Sequence, residues 1–344
     1  MMEEVTAKSQ LSKIRGYEKG FFTTHLINLG AKLGIFDTLF KDKDGLTAPD
    51  LASALGLDPA YTKTWCETAY HFELVDCDEQ GRFKFAPFLD EILGDRSNMR
   101  NYLWNNELAV SIGKFLPDAP PLYRSGDTIS GVYEPELSRI AAGLTQNIYL
   151  AFLYMILPAR EDLKQKLEQG INFLDVGCGH ANLIVQLALA FPNSRFVGVD
   201  CDVYGIEEAR KKISSSGLEE RVAVEKMGGD ELPYEDEFDM ASMVVTLHEI
   251  LPAAREKAVE KIHGALKAGG QLLVLDFPYP TKIEDFRDRT YDFAVMDQFF
   301  ERFAGFIHVT TDERDELLEG AGFENLQKMT IGKGMFELVV ADKH

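Results

Sequence analysis

Phe173-Leu174-Asp175-Val176-Gly177-Cys178-Gly179-His180-Ala181 reads as an apolar strand running into a glycine turn just ahead of a helix. The helix is expected over Asn182 to Ala190, where apolar residues recur at helical spacing, and a second strand, Arg195 to Val199, ends on Asp200. Together they make a β-turn-α-β unit. Gly177 and Gly179 permit backbone conformations and a close ligand approach that a side chain would obstruct. An acid at the end of the next strand can accept hydrogen bonds from both hydroxyls of a ribose. The separation of Gly177 from Asp200 fits the roughly 20 residues expected for that pairing. On these residues alone a purely structural turn stays open. A pyridine dinucleotide fits less well, because its fingerprint wants a third glycine where this chain has Asn182.

Downstream of Asp200 the alternation continues. A helix is expected over Gly205 to Ser214, strands over Val222 to Lys226 and Asp239 to Val245, a helix over Pro252 to Leu266 and a strand over Gln271 to Asp276. Loops at the carboxyl ends of parallel strands converge on one crevice, so residues after Val199, Lys226, Val245 and Leu275 approach the same ligand. An apolar and acidic helix follows from Glu284 to Phe303; its aromatic residues either cover the site or pack as core. Thr310-Thr311 caps a helix from Asp312 to Gly320, and Thr330 to Ile331 with Met335 to Ala341 read as closing antiparallel strands.

Upstream, Phe21 to Phe40 reads as helix. Thr47 caps a helix over Pro49 to Leu55 that Gly56 ends, Asp58 caps a second over Pro59 to Phe72, and Val75 to Asp78 with Arg82 to Phe85 alternate like a hairpin. The order is that of a winged helix. Lys63, Arg82 and Lys84 stand among Asp58, Glu67, Asp76, Asp78 and Glu79, too few cations for a phosphate backbone, so pairing of subunits or support of a substrate pocket is the expected role. Asp95 to Gly170 is helical but broken by Pro117, Pro120, Pro121 and Gly126. Its aromatic residues, Trp104, Phe115, Tyr123, Tyr149, Phe152 and Tyr154, either wall an apolar pocket or fill core.

A net charge of −20, from 36 basic against 56 acidic residues, repels nucleic acid as a general partner. The start, Met1 to Gly16, lacks an apolar core, and the most apolar window, Ile148 to Pro158, is short for a bilayer, so neither a secretory signal nor a membrane partner is expected. Cys66, Cys77, Cys178 and Cys201 form no C-x-x-C pair. A reducing, cytoplasmic setting without disulfides or a metal site is the expectation.

Leu-Asp-Val-Gly-Cys-Gly, Val-Gly-Val-Asp at the acidic strand end, Glu-Leu-Pro-Tyr before Phe238-Asp239, and Leu-Lys-Ala-Gly-Gly-Gln-Leu-Leu-Val-Leu-Asp occur in order between Gln169 and Phe277. This run resembles a class I S-adenosylmethionine-dependent methyltransferase domain. Leu33-Gly34-Ile35-Phe36-Asp37, Leu46-Thr47 and Leu51-Ala52 resemble the winged-helix dimerisation domain that precedes this fold in many small-molecule methyltransferases. The resemblance implies an α/β chain, a Rossmann-like doubly wound sheet preceded by a mainly α winged-helix domain. It divides into a dimerisation-like domain at 1–94, a helical connector contributing to the substrate pocket at 95–168 and an S-adenosylmethionine-binding domain at 169–344. A homodimer through the first domain is implied.

By the same resemblance Gly177 and Gly179 lie along the methionine portion of the cofactor, Asp175 near its amino group and Asp200 on the ribose. Cys178, Cys201 and Thr246 line the site, and Asp230 is an adenine contact. Ala181 stands where the first motif has a further glycine. Thr246-Leu247-His248-Glu249 resembles the histidine-acid pair of plant-type O-methyltransferases, whose histidine is the base, although Ile250 replaces the tryptophan that follows there. His248 is therefore either a general base or part of the pocket lining, with Asp276 in place to orient it. The expected reaction is methyl transfer to a small, partly apolar acceptor, at a hydroxyl first, with N-, S- or C-methylation by proximity as alternatives. A cofactor-binding regulator without turnover is the remaining alternative.

Overall fold

The computed structural model describes residues 5–129 and 134–344, which fall into two compact units, Met1–Pro117 and Asp118–His344. In the first, a long helix α1 (Ala7–Lys32) stops at Leu33 because Gly34 takes a left-handed conformation, φ +75°. The expected helix over Phe21 to Phe40 is thus split, its second part being α2 (Ile35–Lys41). Thr47 caps α3 (Ala48–Leu55), and Asp58 caps α4 (Pro59–His71) by accepting from the amides of Ala60 and Tyr61. The strands β1 (Leu46–Thr47), β2 (Val75–Cys77) and β3 (Arg82–Phe85) form a small antiparallel sheet in the order β1-β3-β2. Ile35, Phe36, Leu51, Trp65 and Val75 make the core of this unit, which α5 (Leu103–Gly113) completes.

The second unit begins with a single turn, α6 (Leu122–Ser125), and then α7 (Pro135–Ala151) continues through a π-helical turn at Phe152–Ile156 into α8 (Leu157–Ala159). The continuous Pro135–Ala159 is, by length and composition, long and apolar enough to cross a membrane, which corrects the short window read from the sequence. Here Tyr149, Phe152 and Ile156 pack into the core of the second unit, while Tyr154 and Met155 are exposed.

After α9 (Glu161–Gln169) comes the α/β run: β4 (Asn172–Val176), α10 (Asn182–Ala190), β5 (Arg195–Asp200), α11 (Val203–Ser215), β6 (Val222–Lys226), β7 (Phe238–Val244), α12 (Pro252–Ala265) and β8 (Leu266–Asp276). Then α13 (Asp292–Ala304) and α14 (Thr311–Gly320) lead to the antiparallel pair β9 (Glu324–Ile331) and β10 (Phe336–Asp342). The expected helix from Glu284 starts late, at Asp292, because short turns intervene and Asp288 caps one of them through the amide of Thr290. The strands β4 to β10 form a seven-stranded sheet, β6-β5-β4-β7-β8-β10-β9, parallel from β6 to β8.

Alternate strand residues feed opposite faces. Phe173, Met240, Leu273 and Val340 enter one core, Leu174, Ala241, Leu272 and Val339 the other. Burial on both faces explains the nearly continuous apolar strands. The strand order reverses between β4 and β7, and that switch point places the turns after both strands at one crevice.

Candidate active site

Gly177 and Gly179 adopt φ +77° and +49°. A β-carbon on Gly177 would lie 2.3 Å from Cγ2 of Thr246, whereas one on Gly179 would meet no heavy atom within 4 Å. The turn is therefore sealed on the Thr246 side and open above Gly179. The amides of Gly177 and Cys178 both donate to the carbonyl of Val199, at 2.8 and 3.1 Å, tying the turn to the end of β5. Asp200 accepts from the amide of Gly179 through Oδ2 (2.7 Å) and from that of Asp202 through Oδ1 (2.8 Å). Each oxygen keeps a further lone pair for a ligand. Burial pushes this carboxyl up, although both amides oppose the shift.

Asp175 lies beneath the turn, buried, with Ser242 donating to its Oδ1 at 2.6 Å. Burial takes its carboxyl up to about 7 against the opposing hydrogen bond from Ser242. Asp230 sits after β6 with Lys257 at 3.4 Å, and Cys201 is exposed beside Asp200. The side chain of Cys178 departs from its expected place. Its sulfur packs against Gly198, where a β-carbon would come within 2.7 Å, and burial holds the thiol well above its usual range. It fills core between turn and sheet; only its backbone belongs to the site.

On the other side of the switch point Val245 is held at φ +55°, a conformation that a β-branched residue rarely adopts. This bend turns the chain off β7 and carries Thr246 and His248 back toward the crevice. His248 is buried, and its Nδ1 lies 2.7 Å from Oδ1 of Asp276 at the end of β8. Burial and the charge of His248 act in opposite directions on Asp276, and the histidine prevails, keeping the carboxyl below its usual range. Asp276 is thus the acceptor and Nδ1 carries the proton. Burial opposes a charge on the imidazole, but Asp276, through its charge and hydrogen bond, with Glu249 and Asp297, outweighs that and takes His248 up to about 10. A base titrating near neutrality, the ordinary range of an imidazole, is not what these surroundings produce.

His308, on the segment after α13, stacks on His248 with ring centroids 4.3 Å apart and planes 8° from parallel. Tyr279 stacks on His308 at 5.4 Å, and Phe277 lies 5.8 Å from both imidazoles. Asp297 of α13 faces the same rings: its Oδ2 is 3.0 Å from Nε2 of His308 and 3.8 Å from Nε2 of His248. One turn further along α13, Glu301 is buried, and burial with the charges of Glu249 and Asp297 drives its carboxyl well up. Glu249, beside His248, is exposed, and the protein around it with the charges of Asp200, Asp297 and Asp276 raises its carboxyl too, against His248. Arg255 binds the segments together by donating to the carbonyls of His248, Ile250 and Ile307 at 3.3, 2.9 and 2.7 Å.

Residues 173–270 match the protein family described as "Methyltransferase domain". The chain carries a class I methyltransferase domain. A curated relative, the ubiquinone/menaquinone biosynthesis C-methyltransferase UbiE of Geotalea uraniireducens, is 23% identical over 191 residues, 51% of this chain and 80% of that one. A putative O-methyltransferase from Nostoc punctiforme superposes with a TM-score of 0.77 at 16% identity, covering 99% of this chain and 100% of that one. Human N-acetylserotonin methyltransferase in complex with SAM gives 0.73 at 17% identity over 100% and 99%. At these identities the two structures establish the fold.

S-adenosylmethionine is the cofactor of this methyltransferase, and the residues at the crevice fit it: the space above Gly179 and the spare lone pairs of Asp200 suit a chain and a ribose. The structure brings the sequence-derived Asp175, Gly177, Gly179, Asp200 and Thr246 to one turn, and sets His248 against Asp276. His308, Asp297, Glu301 and Arg255 escaped the sequence reading. Only the general rule that loops after strands converge pointed toward them, and it does not reach a residue on α13.

Proposed function

We propose that this methyltransferase transfers a methyl group to a hydroxyl oxygen of a small, partly apolar acceptor, and that the hydroxyl is ionised at His248. The observation that carries the reading is the His248–Asp276 pair, 2.7 Å apart, at the switch point that also holds the cofactor turn. When bound, the cofactor supplies a methyl group already activated as a sulfonium. The chain therefore has to align the acceptor and deal with one proton. Asp276 commits Nδ1 of His248, so Nε2 is the atom left to meet the acceptor. With the imidazole raised to about 10, it accepts the proton in the fraction of enzyme whose Nε2 is free, and turnover rises with pH toward about 10. Phe277, Phe293, Phe336 and Tyr279 form a contiguous aromatic group beside the imidazoles, which suits a flat acceptor.

On the donor side Asp200 binds the ribose, Gly177 and Gly179 follow the methionine chain, Asp175 faces its amino group, Thr246 closes the turn and Asp230 approaches the adenine. A second reading, methylation at carbon, is favoured by the relatives named C-methyltransferases. Ionising a phenol or enol prepares carbon as well as oxygen, so both readings use His248 alike. The first unit serves as a pairing surface for a second copy, since Leu11, Ile14, Tyr17, Phe21 and Phe22 of α1 are exposed. The test is turnover over a panel of phenols, enols and amines, with products identified by mass spectrometry. His248→Ala lowers turnover of a hydroxyl acceptor by about 10²–10⁴-fold while leaving donor affinity unchanged. Full turnover in that variant would leave proximity as the whole of the catalysis.

A further inference from the structure

We propose that His248, His308 and Asp297 form a binding site for a divalent first-row transition metal ion at the acceptor side of the crevice. One donor atom from each residue falls in a cluster spanning no more than 4.8 Å. Two imidazoles and one carboxylate make the donor set of non-haem Fe(II) sites and, with an acid as third ligand, of catalytic Zn(II) sites, both of which keep positions open for a substrate.

Three further features point to a ligand from outside the chain. Asp276 holds the Nδ1 proton of His248, which fixes the ring and leaves Nε2 as the nitrogen a metal ion takes by displacing its proton, the arrangement in which a carboxylate backs a metal-binding histidine. His308 is buried, and its Nδ1 has no hydrogen-bond partner among the described residues. Glu301, one turn from Asp297, is buried with Oε2 likewise unpartnered. Buried polar atoms left so are costly and rare. Asp276, Asp297, Glu301 and Glu249 stand around two imidazoles and the Arg255 guanidinium, so acids still outnumber bases at the cluster and a cation suits it. Because the two rings stack nearly parallel, coordination requires His308 to tilt out of the stack. With Nδ1 unpartnered, that motion breaks one side-chain hydrogen bond, the one with Asp297, and gives up the ring stacking on His248 and Tyr279.

The inference rests on the methyltransferase reading and changes one part of it, making an ion held by His248 the group that ionises the acceptor. A hydroxyl reaching such an ion loses its proton to water, and its oxygen then takes the methyl group from the sulfonium, leaving the thioether.

The test is titration of chelator-treated full-length protein with Co(II), read by its visible absorption, with Zn(II) and anaerobic Fe(II) as competitors. S-adenosylhomocysteine binding is measured on every variant. The wild type takes up one Co(II) per chain, and the stronger competitor identifies the ion. His308→Ala and Asp297→Asn lose the absorption while still binding S-adenosylhomocysteine, and Asp276→Asn weakens Co(II) binding by about 10–100-fold. No uptake by the wild type, or uptake unchanged in both ligand variants, overturns the metal site. Failure of the wild type to bind S-adenosylhomocysteine would instead count against the methyltransferase reading, whatever Co(II) does.

Discussion

Asp175→Asn separates what the buried acid does for the cofactor from what it costs the fold. In the folded protein burial moves this carboxyl from 3.8 to about 7, with Asp200 adding repulsion and Ser242 partly offsetting it. For an acid so raised, the unfolded chain ionises first as pH rises. The penalty is absent below about pH 4, grows between about 4 and 7, and is complete above 7. At about 1.4 kcal/mol per pH unit the interval amounts to roughly 4 kcal/mol, an upper bound, since some water reaches any real interior. Asn keeps the oxygen that Ser242 meets and removes the charge. The variant is therefore expected to unfold at higher urea than wild type at pH 8, by up to roughly 4 kcal/mol, with the advantage vanishing near pH 4.

Far-ultraviolet circular dichroism is the suitable probe for that comparison, because both tryptophans, Trp65 and Trp104, lie in the first unit and would not see the sheet. The same substitution weakens donor binding, because the carboxylate is assigned to the cofactor's amino group. A variant no more stable than wild type at pH 8, or an advantage that does not shrink on acidification, would refute the reasoning.

Two other outcomes follow from the geometry. Gly177→Ala forces a side chain into φ +77° and against Thr246 at 2.3 Å, a loss of roughly 2–5 kcal/mol, read as a lower melting temperature and weaker donor binding; wild-type values for both would contradict the close packing. Sedimentation of the wild type shows a dimer that Leu11→Glu with Phe21→Glu converts to monomer, and a monomeric wild type would remove α1 as a pairing surface.

The α/β run was legible because each element there carries its own signals. Helix α10 and strand β6 fall where apolar spacing and flanking turns placed them, and the caps at Thr47, Asp58 and Thr310 are formed by the residues read as caps. Glycine positions explain themselves by φ; Ala181, in the place of a motif glycine, has φ +55°, so the backbone there keeps the glycine-like conformation. The direction in which Cys178 points was not legible, because either side of a tight turn is compatible with a small apolar residue. Nor was the continuous helix Pro135–Ala159, whose middle turn is π-helical and breaks the helical spacing.

At the candidate site the legible part is local and the rest is tertiary. Asp276 ends β8 and His248 closely follows the adjacent parallel β7, so strand order, with the bend at Val245, brings them near. His308 reaches the same place only through the packing of α13 and the chain after it, where the amide of Ile307 donates to the carbonyl of His248. No spacing between positions 248 and 308 encodes that approach. Of the carboxylates around His248, Asp276 was legible as its neighbour, whereas Asp297 comes from α13 and was not.

Calorimetric titration of S-adenosylhomocysteine and of NAD into wild type and Asp200→Ala tests the central claim most directly. Micromolar binding of the sulfur ligand, weakened by the substitution, with no binding of NAD, is the result expected from the turn and its ribose acid. Binding of NAD alone, or of neither ligand, would contradict the account.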